Sequence, residues 1–336
     1  MIARRAFLRA ATAAGAAWAG ALGGRVTQTS AEPAPEISRL RLIRTTASVC
    51  QAPQYLADEL FRSEGFTEVT YVRKDGPHAI AEALASGEAD VNMNFSGPLL
   101  IHIDSGKPIV ILGGVHVGCF ELFGTRHVRT IRDLKGRTIA IGPFGGPHHV
   151  FLSSILAYIG LDPRKDVTWI TKPFEESRQL LAEGKVDAYL GFPPDAQELR
   201  AKKVGHVMLN SSVDRPWSHY FCCMLAGNRD FVRKHPMAAK RALRAILKAT
   251  DICATEPERT ARFLIDSGHR VREDYASQAL REIPFTRWRE YEPGDTLRFY
   301  ALRLHEAGMI KGNPQKLIAE GANWRFLNEL KKELKG

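Results

Sequence analysis

The sequence contains no apolar run long enough for a permanent membrane span. Residues 10–22 form an apolar segment rich in alanine, but the segment is too short, and its side chains are too small, for it to cross a bilayer as a permanent helix. The preceding residues contain an Arg-Arg-x-Phe-Leu pattern typical of a twin-arginine export signal. We therefore expect residues 1–31 to be an export signal, cleaved after Ala21 or Ala31, and the mature protein to be soluble and periplasmic. A basic amphipathic helix of the folded domain is the alternative interpretation.

The cysteines lack the spacing of a metal site. There are five of them, so in an oxidising compartment at least one thiol stays unpaired or pairs between chains. Cys222 and Cys223 are adjacent, which would place their side chains on opposite faces of a strand and prevent both from binding one ion. The sequence therefore predicts no metal and no cofactor. It favours roles as small buried apolar residues for these two and for Cys50, Cys119 and Cys253.

The chain also lacks a basic surface of the kind that binds nucleic acid. Four basic residues, Arg4, Arg5, Arg9 and Arg25, lie in residues 1–31, so the net charge of +10 falls to +6 without them. The remaining basic residues are spread through predicted helices and are not interleaved with aromatic side chains. We expect no nucleic-acid partner.

One segment of the sequence occurs twice. Residues 82–95 read EALASGEADVNMNF and residues 179–192 read QLLAEGKVDAYLGF, with five identical positions and no gap. In each copy a predicted helix ends at a glycine, Gly87 or Gly184, which can adopt the left-handed conformation, and a short strand follows. The repeat predicts two similarly built lobes whose strands end at a cleft between them.

The order of elements around the repeat is duplicated as well. Each half begins with a predicted strand, at residues 40–46 or 137–142, followed by a loop and a helix whose first turn contains Pro53 or Pro147. Each lobe therefore reads strand, helix, strand, helix, strand. This order predicts a right-handed parallel α/β unit, which binds its ligand at the carboxyl ends of the strands.

Several short motifs in this framework resemble those of one family. Residues 52–57 read Ala-Pro-x-Tyr-x-Ala, Gly-x-x-Asp precedes the strand of each repeat, and residues 133–137 read Asp-Leu-Lys-Gly-Arg. Their order and spacing are similar to those of the nitrate, sulfonate and taurine family of periplasmic solute-binding proteins. That family also includes binders of thiamine-precursor pyrimidines. The resemblance covers residues 40–330, nearly all of the mature chain.

The resemblance implies a type II periplasmic-binding-protein fold, in which two α/β lobes joined by a hinge close over a small molecule. Lobe one would comprise residues 38–122 and 227–334, and lobe two residues 127–216. The chain would cross between the lobes near residues 121–126 and 220–227, and the C-terminal helices would buttress lobe one. The implied partners are a small-molecule solute and the permease and ATPase subunits of an ABC importer, and the protein itself would be a monomer.

Five segments would line the cleft of such a fold. None of them contains lysine or arginine, so an anionic ligand would depend on helix N-termini, backbone amides, hydroxyls or histidines. The segments are residues 48–55, 94–98, 142–149, 191–195 and 217–222.

The loop before Pro147 has the clearest local signal for ligand binding. Gly145 and Gly146 would allow the backbone to approach a ligand closely. The helix that follows would present its N-terminus to a carboxylate, a sulfonate or a carbonyl. A simple turn is the alternative interpretation.

The cleft segments are rich in aromatic side chains. Trp217, Tyr55 and Phe144 are predicted to stack on a planar or apolar ligand, whereas Phe192 could also pack beneath the site. Polar residues would supply directional hydrogen bonds, although each histidine could instead have a structural role. The predicted ligand-binding residues are Gln51, Tyr55, Asn94, Ser96, Phe144, Gly145, Gly146, His148, Phe192, Asp195, Trp217 and His219.

Three functions are compatible with this sequence. The first, favoured by the export signal and the duplicated lobes, is a binding subunit that delivers an aromatic, heterocyclic or sulfonated solute to an ABC importer. The second is an enzyme similar to the pyrimidine synthases of the family, which the resemblance implies would need a lysine for pyridoxal phosphate, a reactive histidine and cysteines. The cleft segments offer no such lysine, so we expect no enzymatic activity. The third is a periplasmic sensor that reports its ligand to a membrane receptor.

Overall fold

Two five-stranded sheets organise the chain. The computed structural model describes residues 32–45 and 48–334, and every element below lies in the unit Ala34–Gly336. The export signal predicted at residues 1–31 lies outside the described residues. The strands are β1 (Arg39–Arg44), β2 (Glu68–Arg73), β3 (Val91–Phe95), β4 (Ile109–Val117), β5 (Glu121–Gly124), β6 (Arg137–Ile141), β7 (Val167–Thr171), β8 (Ala188–Gly191), β9 (His206–Asn210) and β10 (Phe221–Asn228).

The strand order is β2-β1-β3-β10-β4 in the first sheet and β7-β6-β8-β5-β9 in the second. β1 pairs in parallel with β2 and β3, and β6 pairs in parallel with β7 and β8. The parallel α/β units predicted from the repeat are therefore confirmed. β5 and β10 run antiparallel to their neighbours, and each separates strands of its own sheet.

The helices cover the sheets and fill most of the C-terminal third. The C-terminal helices expected from the family resemblance are present after residue 235. The helices are α1 (Ala52–Leu56), α2 (Asp58–Phe61), α3 (Pro77–Ala85), α4 (Ser96–Asp104), α5 (Pro147–Tyr158), α6 (Phe174–Ala182), α7 (Asp195–Ala201), α8 (Arg229–Lys234), α9 (Pro236–Thr255), α10 (Pro257–Asp266), α11 (Glu273–Glu282), α12 (Pro293–Glu306), α13 (Pro314–Gly321) and α14 (Arg325–Glu333).

The repeated segment builds the same joint in both sheets. Gly87 and Gly184 have φ angles of +75° and +68°, which end α3 and α6 in the left-handed conformation that glycine adopts without strain. The aspartate three residues later then accepts a hydrogen bond from the first strand of its own parallel unit, β1 or β6. Asp90 accepts from the Arg41 N–H at 2.8 Å, and Asp187 accepts from the Thr138 N–H at 2.9 Å. The identical positions thus fix each helix to its sheet.

The chain passes between the sheets at residues 118–120 and 211–220, next to the segments for which a crossing was expected. The expected crossing segments are themselves largely strands, because β5 lies inside the second sheet and β10 inside the first. Every residue of β10 is buried, and its sequence FCCMLAGN carries no charge. Such a continuous apolar run is typical of a strand that is covered on both faces.

The C-terminal helices contact elements of both sheets, not only those of the first. α9 packs on α1 and β4, whereas α12 packs on α4 and on α5. In α11, the Glu282 carboxylate accepts a hydrogen bond from the Gln197 amide of α7 at 2.9 Å. Among residues 32–45 and 48–334, no helix combines the length and the apolar character needed to cross a membrane.

Candidate ligand-binding cavity

A cavity of about 180 Å³ lies where carboxyl ends of strands from both sheets meet. The first sheet contributes residues from the loop after β1, the segment after β2 and the end of β3. The second contributes residues that follow β6, β7 and β8, including the N-terminal turn of α5. Corresponding positions of the two parallel units therefore form opposite walls, as the repeat predicts for a cleft.

Five of the predicted ligand-binding residues line this cavity: Gln51, Asn94, Gly146, His148 and Phe192. Gln51 and Asn94 belong to the wall formed by the first sheet, and the other three to the wall formed by the second. The structure therefore brings polar and aromatic candidates from both halves of the sequence to one place.

Tyr55 lies behind the cavity and supports Gln51. Its ring is 3% exposed, and its hydroxyl is 3.4 Å from Gln51 Oε1. The hydroxyl of Thr45 donates to the same oxygen at 2.7 Å, and Gln51 Nε2 donates to the carbonyl of Met93 at 3.2 Å. The Gln51 amide is therefore held in one orientation, which is how a polar group is preorganised for a ligand.

Trp217 and Ser96 are packed inside the protein rather than at the cavity. Trp217 is 3% exposed, and its ring makes edge-to-face contacts with Phe151, Tyr158 and Phe299 at centroid distances of 5.3 to 5.5 Å. Ser96 is fully buried, and its hydroxyl donates to the carbonyl of Phe221 at 3.4 Å. The stacking role predicted for Trp217 does not fit this position, because the neighbouring rings already cover its faces and edges.

The glycine loop turns Phe144 away from the cavity. Phe144 is 55% exposed and packs edge-to-face on His149 at 4.8 Å, in a separate surface cleft. The Gly145 N–H donates to His149 Nδ1 at 3.2 Å, and the Gly146 N–H donates to the carbonyl of Pro143 at 3.1 Å. Two of the amides expected to hold an acidic ligand group are therefore already used within the loop.

Asp195 and His219 also lie outside the cavity lining. The Asp195 carboxylate accepts a hydrogen bond from the Tyr189 hydroxyl at 2.6 Å and forms an ion pair with Arg178. Burial raises the pKa of Asp195, an effect that the Arg178 charge partly offsets. His219 faces another surface cleft, where its ring is 6.0 Å from that of Tyr291. Asp195 is thus held in local contacts, and His219 lies at a different cleft.

The expectation that no lysine or arginine faces the cleft is wrong. The segment that follows β2 was not among the expected cleft segments, and its Lys74 lines the cavity together with Asp75, Gly76 and Pro77. The Lys74 ammonium forms an ion pair with Glu88 at 2.8 Å. Its charge is thus already balanced by a partly exposed carboxylate of the same chain.

Two buried polar atoms at the cavity have no hydrogen-bond partner among the described residues. They are Asn92 Oδ1, on the wall formed by the first sheet, and His148 Nε2, on the opposite wall. Burial lowers the pKa of His148 to about 3, so its imidazole is neutral at pH 7. An unpaired buried polar atom costs about 1–3 kcal/mol, and a ligand that pairs with it recovers part of that cost.

Aromatic rings surround His148. The rings of Phe174 and Phe192 lie 4.6 and 4.5 Å from its imidazole, and that of Phe120 lies 5.6 Å away. Phe95 adds a further ring to the cavity lining. The aromatic character predicted for the cleft is therefore present, although Phe192 provides it together with residues other than Trp217, Tyr55 and Phe144.

Four cysteines line the same cavity, which the sequence did not predict. Cys222 and Cys223 both reach it because the ladder between β10 and β4 contains register shifts between Phe221 and Met224. A bulged strand does not direct successive side chains to strictly opposite faces. Cys50 and Cys119 are the other two, and hydrogen bonding from Cys119 and Cys223, together with His116, lowers the pKa of Cys50.

A family model described as "NMT1/THI5 like" matches residues 51–260. Among curated proteins, the chain is 24% identical over 230 residues to the 4-amino-5-hydroxymethyl-2-methylpyrimidine phosphate synthase THI12 of Saccharomyces cerevisiae, across 64% of this chain and 66% of that protein. It is 27% identical over 237 residues to the taurine-binding periplasmic protein of Escherichia coli, across 69% of this chain and 66% of that protein. The chain thus spans slightly under two thirds of the length of these relatives.

Solved structures match a larger share of the chain. The periplasmic nitrate-binding protein NrtA from Synechocystis PCC 6803 superposes with a TM-score of 0.74 at 17% identity, covering 90% of both chains. The aliphatic sulphonate binding protein SsuA from Escherichia coli superposes with a TM-score of 0.67 at 16% identity, covering 85% of this chain and 92% of its own. These matches confirm the type II periplasmic-binding-protein fold inferred from the sequence. The family model over residues 51–260 confirms the family resemblance.

Proposed function

Because this chain belongs to the NMT1/THI5-like family, we propose that it is the periplasmic solute-binding subunit of an ABC importer. It would act as a monomer, capture one small organic molecule between its two sheets and present the closed complex to the permease and ATPase subunits. Two walls from separate α/β units suit this task, because a hinge motion between them can admit and enclose a ligand.

The two unpartnered polar atoms of the cavity carry this proposal. Asn92 Oδ1 and His148 Nε2 belong to opposite walls, and both are buried without a partner among the described residues. A ligand with a hydrogen-bond donor for Asn92 and a matching group for the neutral imidazole would pair with both walls at once. Buried unpaired atoms of this kind distinguish a ligand site from a packing defect when they converge on one cavity.

We infer that the solute is a planar aromatic or heterocyclic molecule. Phe95, Phe120, Phe174 and Phe192 line the cavity, and Lys74, which also lines it, is paired with Glu88. A flat ring would gain contact area against the phenyl rings, whereas a small inorganic anion would find no unpaired cation among the described residues that line the cavity. Nitrate and bicarbonate should therefore bind poorly. A heterocycle with ring nitrogens or an amino group fits the two polar atoms.

Thermal shift measurements with a panel of compounds test this function. The panel contains pyrimidines, aromatic carboxylates, aromatic and aliphatic sulfonates, nitrate and bicarbonate. A compound present at about 100 times its Kd adds about 2.7 kcal/mol of stability, a rise of several degrees in melting temperature. We expect such a rise from at least one planar organic compound. A rise with nitrate or bicarbonate alone would contradict the proposed solute class.

A pyrimidine synthase is the second candidate, because the matching yeast protein bears that name and Lys74 does line the cavity. Pyridoxal phosphate requires an uncharged lysine amine for its Schiff base. The Lys74 side-chain nitrogen instead lies 2.8 Å from the Glu88 carboxylate and is engaged in an ion pair with it. The residues present therefore do not fit this cofactor.

Borohydride reduction of the protein after incubation with pyridoxal phosphate distinguishes the two candidates. For a binding protein we expect no stable adduct at Lys74 by mass spectrometry. A stoichiometric adduct at Lys74 that is absent from Lys74→Met would support the enzyme instead.

A further inference from the structure

Four thiols and one imidazole form a single cluster on the cavity wall, here called the thiol cluster: Cys50, His116, Cys119, Cys222 and Cys223. The ligand atoms of Cys50, His116 and Cys223 all lie within 4.8 Å of one another. The sulfurs of Cys119 and Cys222 are 3.0 Å apart. All five side chains are buried, and the four thiols line the cavity itself.

The fold assembles this cluster from three distant parts of the chain. Cys50 follows β1, His116 and Cys119 come from the end of β4 and the first crossing, and the other two sit on the bulged start of β10. Cys119 has a φ angle of +144°, which is unusual for a residue with a side chain. The Cys119 N–H and the Phe120 N–H both donate to Ser211 Oγ, at 3.1 and 2.8 Å, which holds this backbone in place.

The cluster differs from ordinary burial of cysteine as a small apolar residue. Cys253 shows that ordinary case, because it is fully buried in α9 and does not belong to the cluster or to the cavity lining. Four sulfurs and an imidazole nitrogen that converge on one wall instead match the ligand set of soft metal ions. Donor atoms around a tetrahedral ion at about 2.3 Å lie about 3.8 Å apart, so spacings below 4.8 Å need only small adjustments.

We propose that the thiol cluster binds one soft, thiophilic metal ion through Cys50, His116 and Cys223. Each thiol that coordinates the ion releases its proton to solvent. The inference rests on the proposed function in one respect: a cavity that delivers its contents to an importer would carry the ion as cargo. The aromatic remainder of the cavity would then hold the organic part of a metal-bearing solute.

Titration of the fully reduced protein with Cd(II) tests the proposal, because cadmium binds thiolates and does not change oxidation state. We expect a sulfur-to-metal charge-transfer band that saturates at one ion per chain. Cys50→Ser and Cys223→Ser should each weaken binding by about 100-fold, since each removes a direct ligand. Cys253→Ser is the matched control, a buried thiol outside the cluster, and it should bind as the wild type does. X-ray absorption of the wild-type complex should show two sulfur neighbours and one nitrogen neighbour from the protein, a measurement that needs no variant to fold.

Several results would overturn the inference. They are the absence of a saturable band in protein with all its thiols reduced, a sulfur count of one or none, or wild-type affinity in both Cys50→Ser and Cys223→Ser. Binding of an organic compound from the thermal shift panel without binding of Cd(II) would refute the metal site and leave the proposed function intact. One-site binding of Cd(II) without binding of any organic compound would refute the organic solute and keep the metal site.

Discussion

At the scale of single residues, Phe192 has the position of a ligand contact and Trp217 that of a packing residue. Phe192 lines the cavity, whereas Trp217 is enclosed by Phe151, Tyr158 and Phe299. Phe192→Ala should weaken binding of a planar ligand by about 10-fold, the loss of about 1.4 kcal/mol of ring contact. Trp217→Ala should leave affinity unchanged and lower the free energy of unfolding by about 3 kcal/mol. Calorimetry and urea denaturation of both variants measure the two effects, and a loss of affinity confined to Trp217→Ala would refute the assignment.

Position 146, at the cavity, requires glycine for a steric reason. A Cβ atom at this position would be 2.9 Å from the carbonyl oxygen of Pro143, so Gly146→Val must displace the loop that precedes α5. We expect the substitution to weaken ligand binding by about 10-fold or more in a protein that still folds. Gly294→Val is a suitable control, because a Cβ there meets nothing closer than 3.5 Å and the site is not part of the cavity lining. Unchanged affinity in Gly146→Val would mean that the loop is only a turn.

His148 makes stability depend on pH. Burial lowers its pKa from 6.5 to about 3 in the folded protein, so between these values the unfolded chain binds a proton that the folded protein excludes. The contribution to stability is complete above pH 6.5 and is lost as the pH falls toward 3. At pH 5 the loss is about 2 kcal/mol. Urea denaturation at pH 7.5 and 5.0 measures how far the free energy of unfolding falls between the two pH values. This fall should be smaller by that amount in His148→Leu than in the wild type. His78→Gln, which replaces an exposed histidine, should behave as the wild type does.

The types of residue at the site could be predicted from the sequence, but their directions could not. Phe192, Gln51 and His148 were expected at the cleft and line the cavity. Phe144 belongs to an expected segment, yet its side chain is exposed outside the cavity. The next residue, Gly145, donates its N–H to His149 within the loop. The thiol cluster was missed because its members come from distant parts of the sequence. Cys50 precedes His116 by more than sixty residues, and Cys119 precedes Cys222 by about a hundred, so no short spacing motif marks the cluster.

At the scale of elements, a buried carboxylate connects α9 to the turn after α2. Glu64 is 3% exposed, and its oxygens accept hydrogen bonds from Arg244 at 2.9 Å and Lys248 at 2.8 Å. Glu64→Ala leaves two cationic groups without this partner and should lower the free energy of unfolding by about 3 kcal/mol. Glu256→Ala removes a more exposed carboxylate paired with Arg259 and should cost less than about 1 kcal/mol. Equal losses in urea denaturation would show that Glu64 has no special role.

Secondary-structure elements were predicted well where the whole signal lies within a short stretch of sequence. The strands that follow Gly87 and Gly184, and the helices α1 and α5 with Pro53 and Pro147 in their first turns, begin within a few residues of the expected positions. β10 was expected to be a crossing segment, because an apolar run does not reveal which sheet will cover it. The bulge in β10 depends on its pairing with β4 and is equally invisible in the sequence.

At the scale of the whole molecule, the repeat accounts for the site. Two parallel units place the ends of corresponding strands against each other, and each unit contributes to the cavity lining one residue with an unpartnered buried polar atom. Asn92 comes from the first sheet and His148 from the helix that follows β6 in the second. A solute that closes the two halves must therefore contact both walls.

Calorimetric titration with the planar compound that gives the largest thermal shift tests this claim most directly. The wild type should bind one molecule per chain. Asn92→Leu and His148→Leu each remove the polar atom of one wall, and each should weaken binding by about 10-fold, the loss of about 1.4 kcal/mol of hydrogen bonding. Full affinity in both variants, or a loss in only one of them, would contradict a ligand held between the two sheets.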